Sequence, residues 1–313
     1  MDLSLVVPCF NEEENVEEFY QCVESCFYGK EFTYELVFVN DGSKDKTLLK
    51  LKELVRTRRG SIQVVSFSRN FGKESAIYAG LSRAKGDAVC IIDADLQQRP
   101  EVVLRMMEIL DTKPEVDCVA AFQQKRKEGK GISTLKSCFY KLINRVSEVD
   151  FVNGASDFRL MRRPMVNAVL SMTEYHRFSK GILSWVGFNT EHIAYEVQPR
   201  EHGDSKWSVL KLTKYAVEGI VAFSTAPLRL ATVIGFISAL LSVIYLVAVV
   251  LQKLICGIDV PGYATIVVLI LMIGGLILFS LGIIGEYLAK IYVQIKNRPI
   301  YIEKEYFTNE KDF

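Results

Sequence analysis

Asp93 and Asp95, separated by Ala94, place two carboxylates directly after the apolar run Ala88-Val89-Cys90-Ile91-Ile92. Two hard oxygen donors suit Mg²⁺ or Mn²⁺, and such an ion can also grip a diphosphate. A bare Asp-x-Asp is most often a solvated turn, so the setting has to decide. Here the apolar run reads as a buried parallel strand. The pair then stands at the strand's carboxyl end, the edge at which open α/β sheets bind ligands.

The elements before it repeat one pattern. Leu3 to Pro8 reads as a strand, Asn11 to Phe27 as a helix with an acidic start, and Tyr34 to Asn40 as a second strand. Thr47 to Arg58 is helical, Ile62 to Ser68 is a third strand, and Glu74 to Ala84 is a helix after Asn70-Phe71-Gly72-Lys73. Such repeats imply a parallel sheet with right-handed crossovers. Pro8, Asp41, Ser68 and the Asp93/Asp95 pair all fall at carboxyl strand ends, so one crevice should collect them.

Composition narrows the function. The 313 residues carry a net charge of +1, without the basic excess of a nucleic-acid binder. Seven cysteines show no Cys-x-x-Cys spacing, and His176, His192 and His202 are too scattered for a zinc site. The cysteines read as apolar fillers in a reducing compartment. The start, Met1-Asp2-Leu3-Ser4, lacks the basic region of a signal peptide, so the folded part is expected in the cytosol.

The character changes after about Gly203. Lys206 to Phe223 mixes Trp207, Leu210, Tyr215 and Ile220 with Lys206, Lys211 and Lys214, as an interfacial helix does. Leu230 to Leu251 and Ala264 to Gly285 follow, each with 22 residues and no charge. At 1.5 Å per residue each can cross a bilayer core of about 30 Å. Cations flank the outer ends (Lys211, Lys214, Arg229; Lys290, Lys296, Arg298), whereas the link between the stretches has only Lys253. The positive-inside rule therefore puts both termini in the cytoplasm and makes the cell membrane the location. The expected division is a catalytic domain over 1–205, juxtamembrane helices over 206–228, a two-span region over 229–290 and a cytoplasmic tail over 291–313.

Four ordered motifs, Val6-Val7-Pro8-Cys9-Phe10-Asn11-Glu12, Val39-Asn40-Asp41-Gly42-Ser43, Ser68-Arg69-Asn70-Phe71-Gly72-Lys73 and Asp93-Ala94-Asp95-Leu96-Gln97, resemble family 2 glycosyltransferases. Within that family the chain is similar to the polyprenyl-phosphate glycosyltransferases, the group of bactoprenol glucosyltransferase and dolichol-phosphate mannose synthase. The likeness runs through Ser156-Asp157-Phe158-Arg159-Leu160, Arg200 to Trp207 and both apolar stretches. It implies a GT-A fold, which is an α/β Rossmann-like, mostly parallel sheet, followed by interfacial helices and two transmembrane helices. It further implies a hexosyltransferase whose partners are a nucleotide sugar, a polyprenyl phosphate and the membrane, assembled as a homo-oligomer, a tetramer by resemblance.

By the same resemblance Pro8, Asn11, Glu12 and Asp41 hold the base and ribose. A carboxylate at Asp41 can accept an N–H of uracil or guanine, although Asp before Gly is also a common turn former. Asp93 and Asp95 share Mg²⁺ or Mn²⁺, with Asp95 favoured as direct ligand, and Gln97 bears on the sugar or the metal's surroundings. The donor implied is UDP-glucose or UDP-N-acetylglucosamine rather than GDP-mannose. Asp157 matches the residue the family often uses as base. A phosphomonoester acceptor with a second pKa of about 6 is already largely dianionic at neutral pH, so Asp157 reads here as an organiser first and a base second. Arg159, Arg200 and Lys206 are the expected contacts of the acceptor phosphate. Lys125, Arg126, Lys127 and Lys130 read as a basic loop that draws in anions. Two rivals stand beside this reading: a processive polysaccharide synthase and a catalytically silent nucleotide-sugar-binding scaffold.

Overall fold

The computed structural model describes residues 1–58, 60–123, 155–196, 224–256 and 262–309. Apolar runs form the heart of the sheet: β1 (Leu3–Cys9), β2 (Tyr34–Asn40), β3 (Ser61–Phe67) and β4 (Ala88–Ile91). β1 pairs in parallel with β2 and β4, and β2 with β3. Three helices make the crossovers: α1 (Val16–Phe27), α2 (Thr47–Thr57) and α3 (Lys73–Arg83). Their apolar faces are buried through residues such as Phe19, Val23, Leu51 and Leu81. α3 lies especially close to the sheet. A Cβ on Gly80 would stand 2.2 Å from a Val6 side-chain methyl, so only glycine lets the helix settle there.

Beyond β4 the chain forms α4 (Pro100–Thr112), β5 (Cys118–Gln123), β6 (Ala155–Arg162), α5 (Arg163–Ser171), α6 (Ser179–Trp185) and β7 (Thr190–Tyr195). β6 pairs antiparallel with both β4 and β5, while β7 runs parallel to β5. The strand order is β7-β5-β6-β4-β1-β2-β3-β8. The sheet is thus mostly parallel, with antiparallel pairing at β6 and at the β8 edge.

Two long helices follow, α7 (Ala226–Cys256) and α8 (Tyr263–Ile295). Windows within Ala226–Gln252 and Val268–Ile295 have a mean hydropathy of 2.7, and none of either window is buried. Phe236 and Leu278 are about 70% exposed. A soluble core helix would hide such surface, so length, composition and exposure together fit a bilayer. The interfacial segment expected over 206–223 lies outside the described residues.

The stretch expected as a plain tail instead returns to the sheet. β8 (Glu303–Thr308) pairs antiparallel with β3 and covers its edge. A buried polar chain latches it there. Ser4 donates to Glu35 at 2.6 Å, Gln63 donates to the other Glu35 oxygen at 2.6 Å, and Tyr306 Oη donates to Gln63 Oε1 at 2.8 Å. Arg83–Glu303 and Lys52–Glu305 add ion pairs at the same edge. β8 follows α8, and Tyr287 in the last part of α8 donates to the Ser224 carbonyl just before α7 at 2.6 Å, so both ends of the helical hairpin lie together on the side that carries the sheet.

Candidate active site

The turn after β2 is built around one carboxylate. Asp41 accepts the backbone N–H of Phe71 at 2.6 Å on one oxygen and that of Gly72 at 2.9 Å on the other. The neighbouring Gly42 has φ +63°, and a Cβ there would meet the backbone carbon of Arg69 at 2.4 Å. Arg69 lies over the Phe71 ring at 4.4 Å, and Phe71 meets Phe67, which stacks on Tyr301. The loop over 69–72 is thereby fixed from below by the chain that leaves α8. Burial pushes the Asp41 carboxyl up, while the N–H groups of Phe71 and Gly72 oppose that push.

The turn after β1 is tied to the same rim. Asn11, at φ +57°, donates its N–H to Ser43 Oγ at 3.0 Å and accepts the Lys44 N–H at 2.9 Å. Glu12 accepts from Asn15 Nδ2 at 2.6 Å, and its own N–H reaches Thr47 Oγ1 at 2.9 Å. Pro8 sits within β1 opposite Val39. Of the four residues expected to face the nucleotide, Asn11, Glu12 and Asp41 therefore lie on two linked turns of one edge, and Pro8 lies at the strand end that leads into the first of them.

Beyond β4 the carboxylates are held differently from one another. Asp93 Oδ1 is 2.6 Å from Lys73 Nζ, and its Oδ2 accepts Gln98 Nε2 at 3.0 Å. Asp95 Oδ1 accepts the Gln97 N–H at 3.2 Å. Between them Leu96 is buried at φ +57°, a backbone state uncommon for a side chain of this size. Leu96 belongs to the buried core cluster, which holds this backbone state directly after Asp95.

Asp157 arrives from β6. Lys73 Nζ lies 3.5 Å from its Oδ2, whereas its Oδ1 is buried without a hydrogen-bond partner. Burial would raise the Asp157 carboxyl, but Lys73, Lys180 and Arg159 outweigh it and hold the group below the ordinary carboxylate range. Lys73 moves the opposite way: burial would lower its ammonium, and Asp93 with Asp157 pushes it up instead. Next along α3, Glu74 accepts the Ser179 N–H at 2.8 Å and is hydrogen-bonded to the Ser179 hydroxyl. Burial raises Glu74, helped by the nearby Asp157 charge. That contact anchors the start of α6, which brings Lys180 toward Asp157.

Arg159 lies beneath the rim, 5% exposed, with Nη2 donating to the Ser156 carbonyl at 3.1 Å and Nε unpaired. It sits on the same strand face as Asp157, two residues on. A phosphate contact by Arg159 requires the guanidinium to leave that position. Arg200, Lys206 and the basic residues Lys125 to Lys130 lie outside the described residues.

Sequence reasoning placed no role on Lys73, which the structure sets between two site carboxylates. A signal was present: a lysine as the first residue of a helix faces the positive end of the dipole, so its charge has to be satisfied elsewhere. Among the described residues no three of His, Cys, Asp and Glu converge as a cage for a metal ion. The chemistry of the donors still fits a hard divalent cation, since a carboxylate at Asp95 can anchor an ion whose remaining positions are filled by phosphate oxygens and water.

A parallel α/β sheet with acidic turns along its carboxyl edge defines a nucleotide-binding type of enzyme. Comparison with known proteins makes the class specific: residues 4–170 match Glycosyl transferase family 2, and the chain belongs to that family. It is a glycosyltransferase with a GT-A catalytic sheet. Residues 226–291 match the GtrB C-terminal hairpin. The bactoprenol glucosyl transferase of Shigella phage SfII is 42% identical over 306 residues, covering 97% of this chain and 98% of that protein. The bactoprenol glucosyl transferase of Shigella phage SfV is 41% identical over 312 residues, 99% of each chain. Among solved structures, glucosyl-3-phosphoglycerate synthase from Mycobacterium tuberculosis is 18% identical, with a TM-score of 0.48 over 70% of this chain and 77% of that one.

Proposed function

We propose that this glycosyltransferase moves a hexose from a nucleoside diphosphate sugar to a polyprenyl phosphate, with inversion at the anomeric carbon. The donor is UDP-glucose or UDP-N-acetylglucosamine, and the acceptor is undecaprenyl phosphate. The observation that carries this reading is the route of the chain. An apolar hairpin starts and ends on the side of the catalytic sheet, and β8 then pairs with β3. That arrangement supports an active site held at a membrane surface, where a lipid phosphate emerges, with catalytic domain and termini on the cytoplasmic face. The names of relatives that share nearly the whole chain point the same way.

Pro8, Asn11, Glu12 and Asp41 frame the base and ribose. Asp41 holds the loop over 70–72 with both oxygens, and each carboxylate oxygen keeps acceptor capacity for a base N–H. Asp95, with Asp93 beside it and Gln97 on its Oδ1, would hold Mg²⁺ or Mn²⁺. When bound, that cation supplies charge neutralisation on the departing nucleoside diphosphate. Asp157 stays ionised beside Lys73 and positions the sugar, its unpaired Oδ1 being an acceptor for a hydroxyl. Proton abstraction is not required of it, because the lipid phosphate with a second pKa of about 6 is already a dianion at neutral pH. Arg200 and Lys206 meet that phosphate, and Arg159 tunes Asp157 from beneath.

The test incubates the full-length protein in membranes with undecaprenyl phosphate and a panel of labelled nucleotide sugars, reading lipid products by mass spectrometry. A lipid-linked monosaccharide from UDP-glucose or UDP-N-acetylglucosamine is expected. A long polymer, or donor binding with no transfer, overturns the proposal.

A further inference from the structure

The register of the sheet creates a problem that one side chain solves. β4 and β6 are antiparallel neighbours, with Ile91 opposite Arg159. Continuing that register two residues sets Asp93 opposite Asp157. Like charges directly across a strand pair are destabilising. Lys73 Nζ stands at 2.6 Å from Asp93 and 3.5 Å from Asp157, and so bridges the two. Gln98 occupies the second Asp93 oxygen and also reaches Ser156 Oγ at 3.5 Å, stitching the same two strands together.

We infer that Lys73 is a positioning residue for sugar transfer: its ammonium is a built-in cation that ties Asp93 to Asp157 and leaves Asp95 as the carboxylate for the divalent ion. Three observations converge on this. Asp93 is held from both sides, by Lys73 on one oxygen and Gln98 on the other. A divalent ion placed on Asp93 would sit against a lysine that already neutralises it, and like charges repel at that range. Lys73 is delivered by the loop that Asp41 pins through Phe71 and Gly72, so nucleotide-side geometry and sugar-side geometry share one rigid segment. The inference rests on the proposed transfer reaction, because it assigns Asp157 to the sugar.

The experiment uses the full chain in detergent, with Mn²⁺ and UDP as probes. Mn²⁺ affinity is read by electron paramagnetic resonance, and kcat and donor KM are read with the lipid acceptor. Lys73 neutralises two carboxylates at once, so removing it leaves Asp93 and Asp157 facing each other across the strand pair without a cation between them. Lys73→Met is therefore expected to lower kcat by about 30-fold or more with donor KM changed by less than about threefold, and to tighten Mn²⁺ by about threefold as Asp93 is released. Lys73→Arg should restore most of kcat. Asp95→Asn should weaken Mn²⁺ by about tenfold or more, and Asp93→Asn by less than about threefold. Two outcomes overturn the inference: Asp93→Asn weakening Mn²⁺ as much as Asp95→Asn, or Lys73→Met leaving both kcat and Mn²⁺ affinity at wild-type values. The Mn²⁺ readings need neither sugar nor lipid, so they separate failure of this inference from failure of the transfer reading, which the wild-type lipid product decides.

Discussion

Asp41 and Phe71 are 30 positions apart, yet a carboxylate oxygen of Asp41 accepts the Phe71 N–H at 2.6 Å. The turn after β2 and the loop before α3 are therefore one unit. Asp41→Asn replaces an acceptor by an amide that can satisfy only one of the two N–H groups, leaving the other unpaired at a cost of about 1–3 kcal/mol. A lower melting temperature and a donor KM raised by about tenfold are expected, with kcat less affected. Wild-type donor KM in this variant would remove the loop-holding role.

Gly42→Ala attacks the same unit from its backbone. The added methyl would meet the Arg69 carbon at 2.4 Å, at a φ of +63° that alanine rarely adopts. Relief requires the loop over 69–72 to move, with strain of about 1–3 kcal/mol. UDP titration should show weakened binding while the protein remains folded by circular dichroism.

Asp95→Asn should abolish lipid-linked product while expression and membrane insertion are kept. Near-normal turnover by this variant with a chelator present would sink the metal role.

Asp157 makes a pH prediction with a definite sign. Its folded pKa is depressed below the ordinary 3.8, because Lys73, Lys180 and Arg159 outweigh the burial that opposes them. The stability it contributes is fully present above the unfolded value and is lost as pH falls through the lower folded one. Wild type should be more stable than Asp157→Asn at neutral pH, and denaturation curves should converge in strong acid. A difference that persisted unchanged through that window would contradict the ion-paired state.

Tyr301 stacks on Phe67 with ring centroids 4.8 Å apart, and Phe67 meets Phe71 edge-on at 5.7 Å. Tyr301 is only partly buried, so Tyr301→Ala should reduce stability by about 1–3 kcal/mol, and it should also weaken donor binding through Phe71. Unchanged UDP affinity would disconnect the returning chain from the site.

The first four strands and three helices were legible because apolar runs alternate with amphipathic ones, and because a buried parallel strand such as β1 tolerates little else, although α1 begins at Val16 and the residues from Asn11 to Asn15, expected as its acidic start, form the turn before it. The rim location of Asp41, Asp93 and Asp95 followed from the same pattern. β8 was not legible. Glu303, Lys304 and Glu305 make it look like a solvated tail, since an edge strand presents one side to water and its pairing partner is about 240 positions away. Lys73 was hidden for a related reason: its partners belong to β4's exit and to β6, and only the fold brings those together.

β8 also sets an order on how the enzyme is made. The final strand of the catalytic sheet is translated after both apolar helices, so the β3 edge stays unpaired on the ribosome until the hairpin has been synthesised. Completion of the sheet thus waits on the synthesis of both apolar helices, and a chain halted before Glu303 would keep an adhesive strand edge in place of a sealed one.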